Sequence, residues 1–227
     1  MRPPIIILGM HRSGTSCLAG SLQEAGLFLG DVVVSAPHNE KGNRELKSLR
    51  KLHERVLNEN GGSWRSPPPS IQWSEECKKI QRSLVNQIGG EYSWGFKDPR
   101  TLLVYQRWIE EFPDVRFAAT FRHPDAVAAS LVRRDKMSYE SAIDLWMKYN
   151  HILLRVSSLR RLRLVEFGVG IDRYLRALGT IVVELELTEP AVFEFPTKKL
   201  VHNWPDQSHS LPASALDLYQ QLQQNAL

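Results

Sequence analysis

The junction between Ile5-Ile6-Ile7-Leu8 and Gly9-Met10-His11-Arg12-Ser13-Gly14-Thr15-Ser16 constrains the fold more than any other stretch of the chain. An apolar, largely β-branched run without polar alternation predicts a parallel strand covered on both faces. Gly9 and Gly14 bracket four residues. The backbone between them can curl and present successive N–H groups to an anion, together with the positive end of the helix that follows. Thr15 and Ser16 add hydroxyl donors where that helix begins. The same glycines would also serve a plain strand, turn and helix; it is the coincidence of glycines, hydroxyls and Arg12 that favours an anion cradle.

The spacing fits the first six positions of the mononucleotide pattern G-x-x-x-x-G-K-[ST], but Thr15 stands where the lysine belongs. That lysine neutralises the outer phosphates of a nucleoside triphosphate. Here the nearest cation is Arg12, inside the loop.

The remaining chain alternates strand and helix signals. Short apolar runs predict further strands at 92–97, 115–121 and 164–167. Helical spacing predicts helices from 17 to 25, from 39–45 onward through Leu49, Leu52 and Val56, and over 71–88 and 101–112. Further helices are predicted from Pro124, within 135–158, over 171–178 and over 213–224. The 181–187 run reads equally as β-branched strand or as continued helix. Strands followed repeatedly by helices imply an α/β three-layer fold, a central parallel sheet flanked by helices, with ligands beyond the strands' carboxyl ends. At those ends stand Lys97-Asp98-Pro99-Arg100 and Arg122-His123-Pro124-Asp125. Pro99 stops one strand, and Pro124 suits the first position of a helix.

A length of 227 residues suits one domain, 1–227, with 190–227 as a tail or lid. Twenty-nine basic against 25 acidic side chains give a formal charge of +4, compatible with a polyanionic small ligand and too small to argue for nucleic acid. The two cysteines, Cys17 and Cys77, follow no metal spacing and suggest no disulfide framework. The amino-terminal apolar run is far short of a signal-peptide core or a membrane span, so a cytoplasmic location without membrane association is the expectation.

A second signal is Phe121-Arg122-His123-Pro124-Asp125, followed by Ala128-Ala129-Ser130-Leu131. An arginine at a strand end and a serine in the next helix can converge on one phosphate, the helix adding its own N–H dipole. Alone, the pair is equally a structural corner. Taken with the loop, it completes a pattern: His-Arg-Ser-Gly-Thr-Ser at 11–16, Asn-x-x-Gly with a following glutamate at 39–45, Trp-Gly-x-Lys-Asp-Pro-Arg at 94–100, and Arg-His-Pro with Ala-Ser-Leu at 122–131. In these motifs the chain resembles the P-loop sulfotransferase superfamily, in particular its compact bacterial members, over roughly the first 165 residues.

The resemblance implies transfer of a sulfuryl group from 3′-phosphoadenosine 5′-phosphosulfate to a hydroxyl or amine of a small-molecule or carbohydrate acceptor, without a metal. It implies donor contacts from His11, Arg12, Ser13, Gly14, Thr15 and Ser16, with Arg122 and Ser130 on the 3′-phosphate. Arg12 would also stabilise charge on the bridging oxygen. Many relatives carry a histidine just after the lysine equivalent to Lys97; here Asp98-Pro99 follows. The departure points to Glu45 as general base, with His38 second, although Glu45 equally fits a capping or exposed helix glutamate. The Lys-x-x-Gly-type segment of conventional eukaryotic members is absent, and Lys198-Lys199-Leu200-Val201-His202 is its nearest substitute.

Blander roles are expected elsewhere. His53 and His151 read as surface or helix-packing residues, and Asp98 with Arg100 as a structural ion pair. Arg155, Arg160, Arg161 and Arg163 read as a solvated face, and most tryptophans as core. Two other functions fit the same loop: a small-molecule kinase, which would need acidic magnesium ligands, and a nucleotide-binding module without turnover.

Overall fold

The computed structural model describes residues 1–35, 41–160, 162–198, 201 and 210–227. Among them the chain forms β1 (Ile5–Leu8), α1 (Thr15–Glu24), α2 (Lys47–Glu59), α3 (Glu75–Ile88), β2 (Gly95–Lys97) and α4 (Thr101–Glu111). It continues with β3 (Arg116–Arg122), α5 (Pro124–Asp135), α6 (Tyr139–Arg160), β4 (Leu164–Phe167), α7 (Ile171–Glu184) and α8 (Ala213–Gln224). The four strands make one parallel sheet in the order β2-β1-β3-β4, the α/β arrangement that the motif order implies.

All four residues of β1 are buried, which is why that run carries no polar alternation. The chain leaves β1 toward β2 on one side and then crosses to β3 on the other. The carboxyl ends of β1 and β3 therefore flank the point where winding reverses, and in such sheets a crevice opens there. The loop between β1 and α1 occupies it. Helix α1 packs with α7, while α4, α5 and α8 pack with α6. Trp94, Trp108 and Trp146 are fully buried in the core, and Trp64 and Trp73 pack partly buried against it.

Two helix starts differ from the sequence expectation, and one open stretch is decided by the structure. The second helix does not open at 39–45: it begins at Lys47. Arg44 N–H donates to the Val33 carbonyl and Val33 N–H to that of Glu45, so this stretch is extended and pairs with 32–33. Positive φ at Gly42 (76°) and Arg44 (54°) also breaks any helical path. The third helix starts at Glu75 rather than 71, because the Ser74 hydroxyl accepts from Cys77 N–H and caps it. The ambiguous 181–187 stretch continues α7 to Glu184, with Ile181 and Val182 buried on one face.

Part of the tail is well placed. Phe195 lies over Gly20 of α1, where an added Cβ would be 2.3 Å from its ring, and its carbonyl accepts from Lys41. At the chain's end, Leu164 N–H donates to Asn225 and Leu227 N–H donates to Leu164, so the last residues pair with the free edge of β4. Lys199, Leu200, His202 and Trp204 lie outside the described residues. Of the expected arginine face, Arg155 and Arg163 are exposed, Arg160 donates to the Pro113 carbonyl, and Arg161 lies outside the described residues.

Candidate active site

The loop between β1 and α1 is shaped by three left-handed residues. Gly9 (φ 149°) lies so close to β3 that a Cβ would stand 2.6 Å from the Thr120 carbonyl, and a Cβ on Gly14 (φ 85°) would stand 2.3 Å from the Phe167 ring. Arg12 adopts φ 69° without being glycine, a conformation that surrounding structure must hold. One such restraint is Thr120, whose hydroxyl donates to the Ser13 carbonyl at 3.0 Å. Gly14 caps α1 without a side-chain hydrogen bond. The first-turn N–H groups, which a helix leaves without internal acceptors, face the crevice with the positive end of the dipole.

Two separate cationic arms reach this loop. On the β3 side, Arg12 Nε donates to Ser130 Oγ at 2.8 Å, joining the loop to α5 across 118 residues. Arg122 ends β3 beside them, its carbonyl held by Trp146 Nε1 at 3.0 Å and its guanidinium over the Phe167 ring at 5.4 Å. Burial first, then the neighbouring Arg12 and Arg133, pull Arg122 down to about 10. Arg12 is lowered chiefly by burial and by Arg134 and Arg133. Cations crowded together in a half-dry site make it favourable for an anion.

On the β2 side, Lys97 is buried at the strand end and donates to Glu45 Oε1 at 2.7 Å and to Ser16 Oγ at 3.3 Å. Ser16 Oγ in turn donates to the Asn43 carbonyl at 3.1 Å. Burial lowers the Lys97 pKa, and Glu45 opposes the shift. Glu45 is therefore not an exposed or capping helix glutamate: the extended 43–46 segment carries it to the loop. Sequence patterning places Lys97 at a strand end but gives it no partner. Its partner lies 52 residues away, a pairing that no local pattern encodes.

Beneath Lys97 sits a network that the local pattern underrates. Of the two roles expected for His53, surface or helix packing, it takes the second and is completely buried on α2. Its Nε2 accepts from Trp108 Nε1 at 3.1 Å, so Nδ1 carries the proton and donates to Asp98 Oδ2 at 2.8 Å. Asp98 Oδ1 accepts from Arg100 N–H at 3.1 Å and from Arg100 Nη1 at 2.8 Å, the expected ion pair. Burial alone would raise the Asp98 carboxyl, but His53 and Arg100 hold it far below the usual range. The sequence does carry a signal for this burial: Leu49, His53, Val56 and Leu57 share the buried face of α2. His151 is exposed, as expected.

The structure thus brings Arg12, Ser13, Thr15, Ser16, Glu45, Lys97, Arg122 and Ser130 around one loop. His11, also in the loop, turns toward Trp64 rather than toward Ser130. His38 lies outside the described residues.

A parallel sheet with a glycine-bracketed loop at its switch point and arginine on the loop's rim defines an α/β protein whose loop has the geometry and charge that suit an anion. More specifically, the chain belongs to the sulfotransferase family, whose profile matches residues 3–164. The sulfotransferase domain from the curacin biosynthetic pathway has a similar fold, with TM-score 0.63 and 15% identity over 98% of each chain. The sulfotransferase domain of the Synechococcus PCC 7002 olefin synthase is also similar, with TM-score 0.56 and 20% identity over 98% of this chain and 94% of that one. At these identities the two structures support the fold alone. No curated protein matches the chain. Among the described residues no helix is long and apolar enough to cross a membrane.

Proposed function

We propose that the protein transfers a sulfuryl group from 3′-phosphoadenosine 5′-phosphosulfate to a hydroxyl or amine of a small-molecule or carbohydrate acceptor, by in-line displacement and without a metal. The observation that carries this reading is the approach of Arg12, Ser130 and Arg122 at the carboxyl ends of β1 and β3, where burial and neighbouring arginines lower both guanidinium groups. The donor supplies an activated sulfate whose leaving group is a phosphate oxygen. In this reading Arg122 and Ser130 hold its 3′-phosphate, and the N–H groups of Gly14 to Ser16 hold its 5′ end. Arg12 and Lys97 face the charge that grows on the leaving oxygen, the work a metal does in phosphoryl transfer. Glu45, kept beside the loop by Lys97, takes the acceptor's proton.

Calorimetry with adenosine 3′,5′-bisphosphate, set against ATP with magnesium, tests the donor assignment. Binding of the bisphosphate is expected, and Arg122→Ala should abolish most of it, since a guanidinium bonded to a phosphate makes a charge-assisted pair that alanine cannot replace. Tight ATP binding with indifference to the bisphosphate would sink the reading. Glu45→Gln cannot accept a proton: bisphosphate affinity should hold while turnover falls by roughly 10² to 10⁴. Unchanged turnover would remove Glu45 as the base.

A further inference from the structure

The reaction just described needs Glu45 beside the loop, yet Glu45 rides on a stretch that is neither helix nor strand. Its backbone path is unusual. Arg44 takes φ 54° without being glycine, and a Cβ on Gly42 (φ 76°) would stand 2.3 Å from the Val33 carbonyl. A left-handed residue other than glycine persists only where its surroundings fix it. The residues on either side of Arg44 face the loop: the Asn43 carbonyl accepts from Ser16 Oγ, and Glu45 accepts from Lys97. Arg44 itself turns the other way, toward α1 and the tail.

What it meets there is Phe195. The Arg44 guanidinium lies over the Phe195 ring at 4.8 Å, while its Nη1 donates to Gln23 Oε1 at 3.2 Å and its Nε to the Lys41 carbonyl at 3.1 Å. The Lys41 ammonium lies over the same ring, also at 4.8 Å, and donates to the carbonyls of Glu194 and Phe195 at 2.9 and 2.8 Å. Two cations thus share one aromatic ring. The ring is 7% exposed and fits against α1 because residue 20 is glycine. Attraction between a cation and an aromatic face strengthens when water is kept out. The tail therefore reaches back across 154 residues to grip both ends of the 41–44 turn.

Resting on the sulfotransferase reading, we propose that Arg44 and Phe195 are positioning residues for the general base: the tail's aromatic ring clasps Arg44 in its left-handed conformation, and that conformation keeps Glu45 on Lys97 beside the loop. Once the clasp is lost, Arg44 relaxes to an ordinary backbone conformation and Glu45 leaves Lys97. The 193–197 segment then serves the acceptor side of the reaction rather than the donor's 3′-phosphate, which the same reading gives to Arg122 and Ser130.

Lys97 reports the position of Glu45 without any acceptor. Its side chain is 1% exposed, so brief treatment of the native full-length protein with acetic anhydride should leave it unlabelled by mass spectrometry. Arg44→Ala should raise Lys97 acetylation about tenfold, the worth of one desolvated contact between a cation and a ring. Phe195→Leu refills the space against Gly20 without offering an aromatic face, and should raise it equally. In both variants the buried Cys77 should stay unmodified by iodoacetamide, and bisphosphate affinity should stay within about threefold of wild type. Turnover is read as bisphosphate released from the phosphosulfate donor, with the best substrate of a panel of hydroxyl and amine acceptors. It should fall about tenfold in each variant and fall little further when either is combined with Glu45→Gln, as expected of residues that act through Glu45. A protected Lys97 in Arg44→Ala would overturn the proposal, and protection restored by leucine at 195 would reduce Phe195 to packing and overturn it too. If turnover still depends on Glu45 in that case, this proposal falls alone; unchanged turnover in Glu45→Gln would take the base reading down with it.

Discussion

Replacing Asp98 by asparagine changes one atom and tests the network that fixes the floor of the site. Asp98 accepts from three donors on two sides: His53 Nδ1 on Oδ2, and Arg100 N–H and Nη1 on Oδ1. Because Trp108 donates to His53 Nε2, the imidazole cannot switch tautomer without losing that bond. An asparagine amide must then aim its NH₂ at an N–H donor on one side or the other. The substitution also leaves Arg100, whose side chain is 8% exposed, with the partly exposed Glu54 as its remaining ion-pair partner among the described residues and with Glu45 farther off. Breaking a buried pair from one side costs about 3–5 kcal/mol. For a chain of this size each kcal/mol is worth about 2–4 °C, so Asp98→Asn should lower the melting temperature by roughly 6–20 °C. The pH dependence carries its own signature. The carboxyl is depressed in the folded state, so its contribution is present in full above the unfolded value of about 3.9 and is lost as pH falls toward the folded value. Urea titrations of both proteins at pH 7 and at successively lower pH give the measurement. The gap should be widest at neutral pH and narrow with acid; a difference below about 1 kcal/mol at pH 7 would refute the reasoning.

Further outcomes follow from other parts of the site. Gly14→Ala places a Cβ 2.3 Å from the Phe167 ring at a φ of 85°; folded protein, if recovered, should show bisphosphate affinity reduced at least tenfold by calorimetry, the consequence of a displaced loop. Lys97→Met removes a buried cation but leaves Glu45, which is partly exposed with its side chain at 12%. Its melting temperature should therefore fall less than that of Asp98→Asn, while turnover falls by more than tenfold because Glu45 loses its anchor. Burial pushes the Cys17 thiol up to about 11 and raises that of Cys77 as well. Iodoacetamide at pH 8 should accordingly leave Cys17 unmodified in folded protein and label it once urea unfolds the chain, as mass spectrometry would report.

Local chemistry makes much of this protein legible in its sequence. The loop can be read because each of its residues does a local job: β-branched residues for a doubly covered strand, glycines where φ must be positive, hydroxyls at a helix start. Strand ends at Lys97 and Arg122 are marked by the prolines that follow them, and those prolines act on their immediate neighbours. The sheet order placing β1 between β2 and β3 is decided only by the tertiary structure, because strand adjacency depends on how several crossovers pack together. The same holds for the pairing of Lys97 with Glu45 and of Arg12 with Ser130, which joins residues far apart in the chain. Extending the periodicity backward from Leu49 puts Glu45 on a helix; pairing with Val33 overrides that propensity. His53 and His11 show the same limit from opposite directions. A histidine's tautomer and partners are set by what folds over it, so one becomes the donor to Asp98 and the other a ring against Trp64, which neither residue's neighbours in the chain encode.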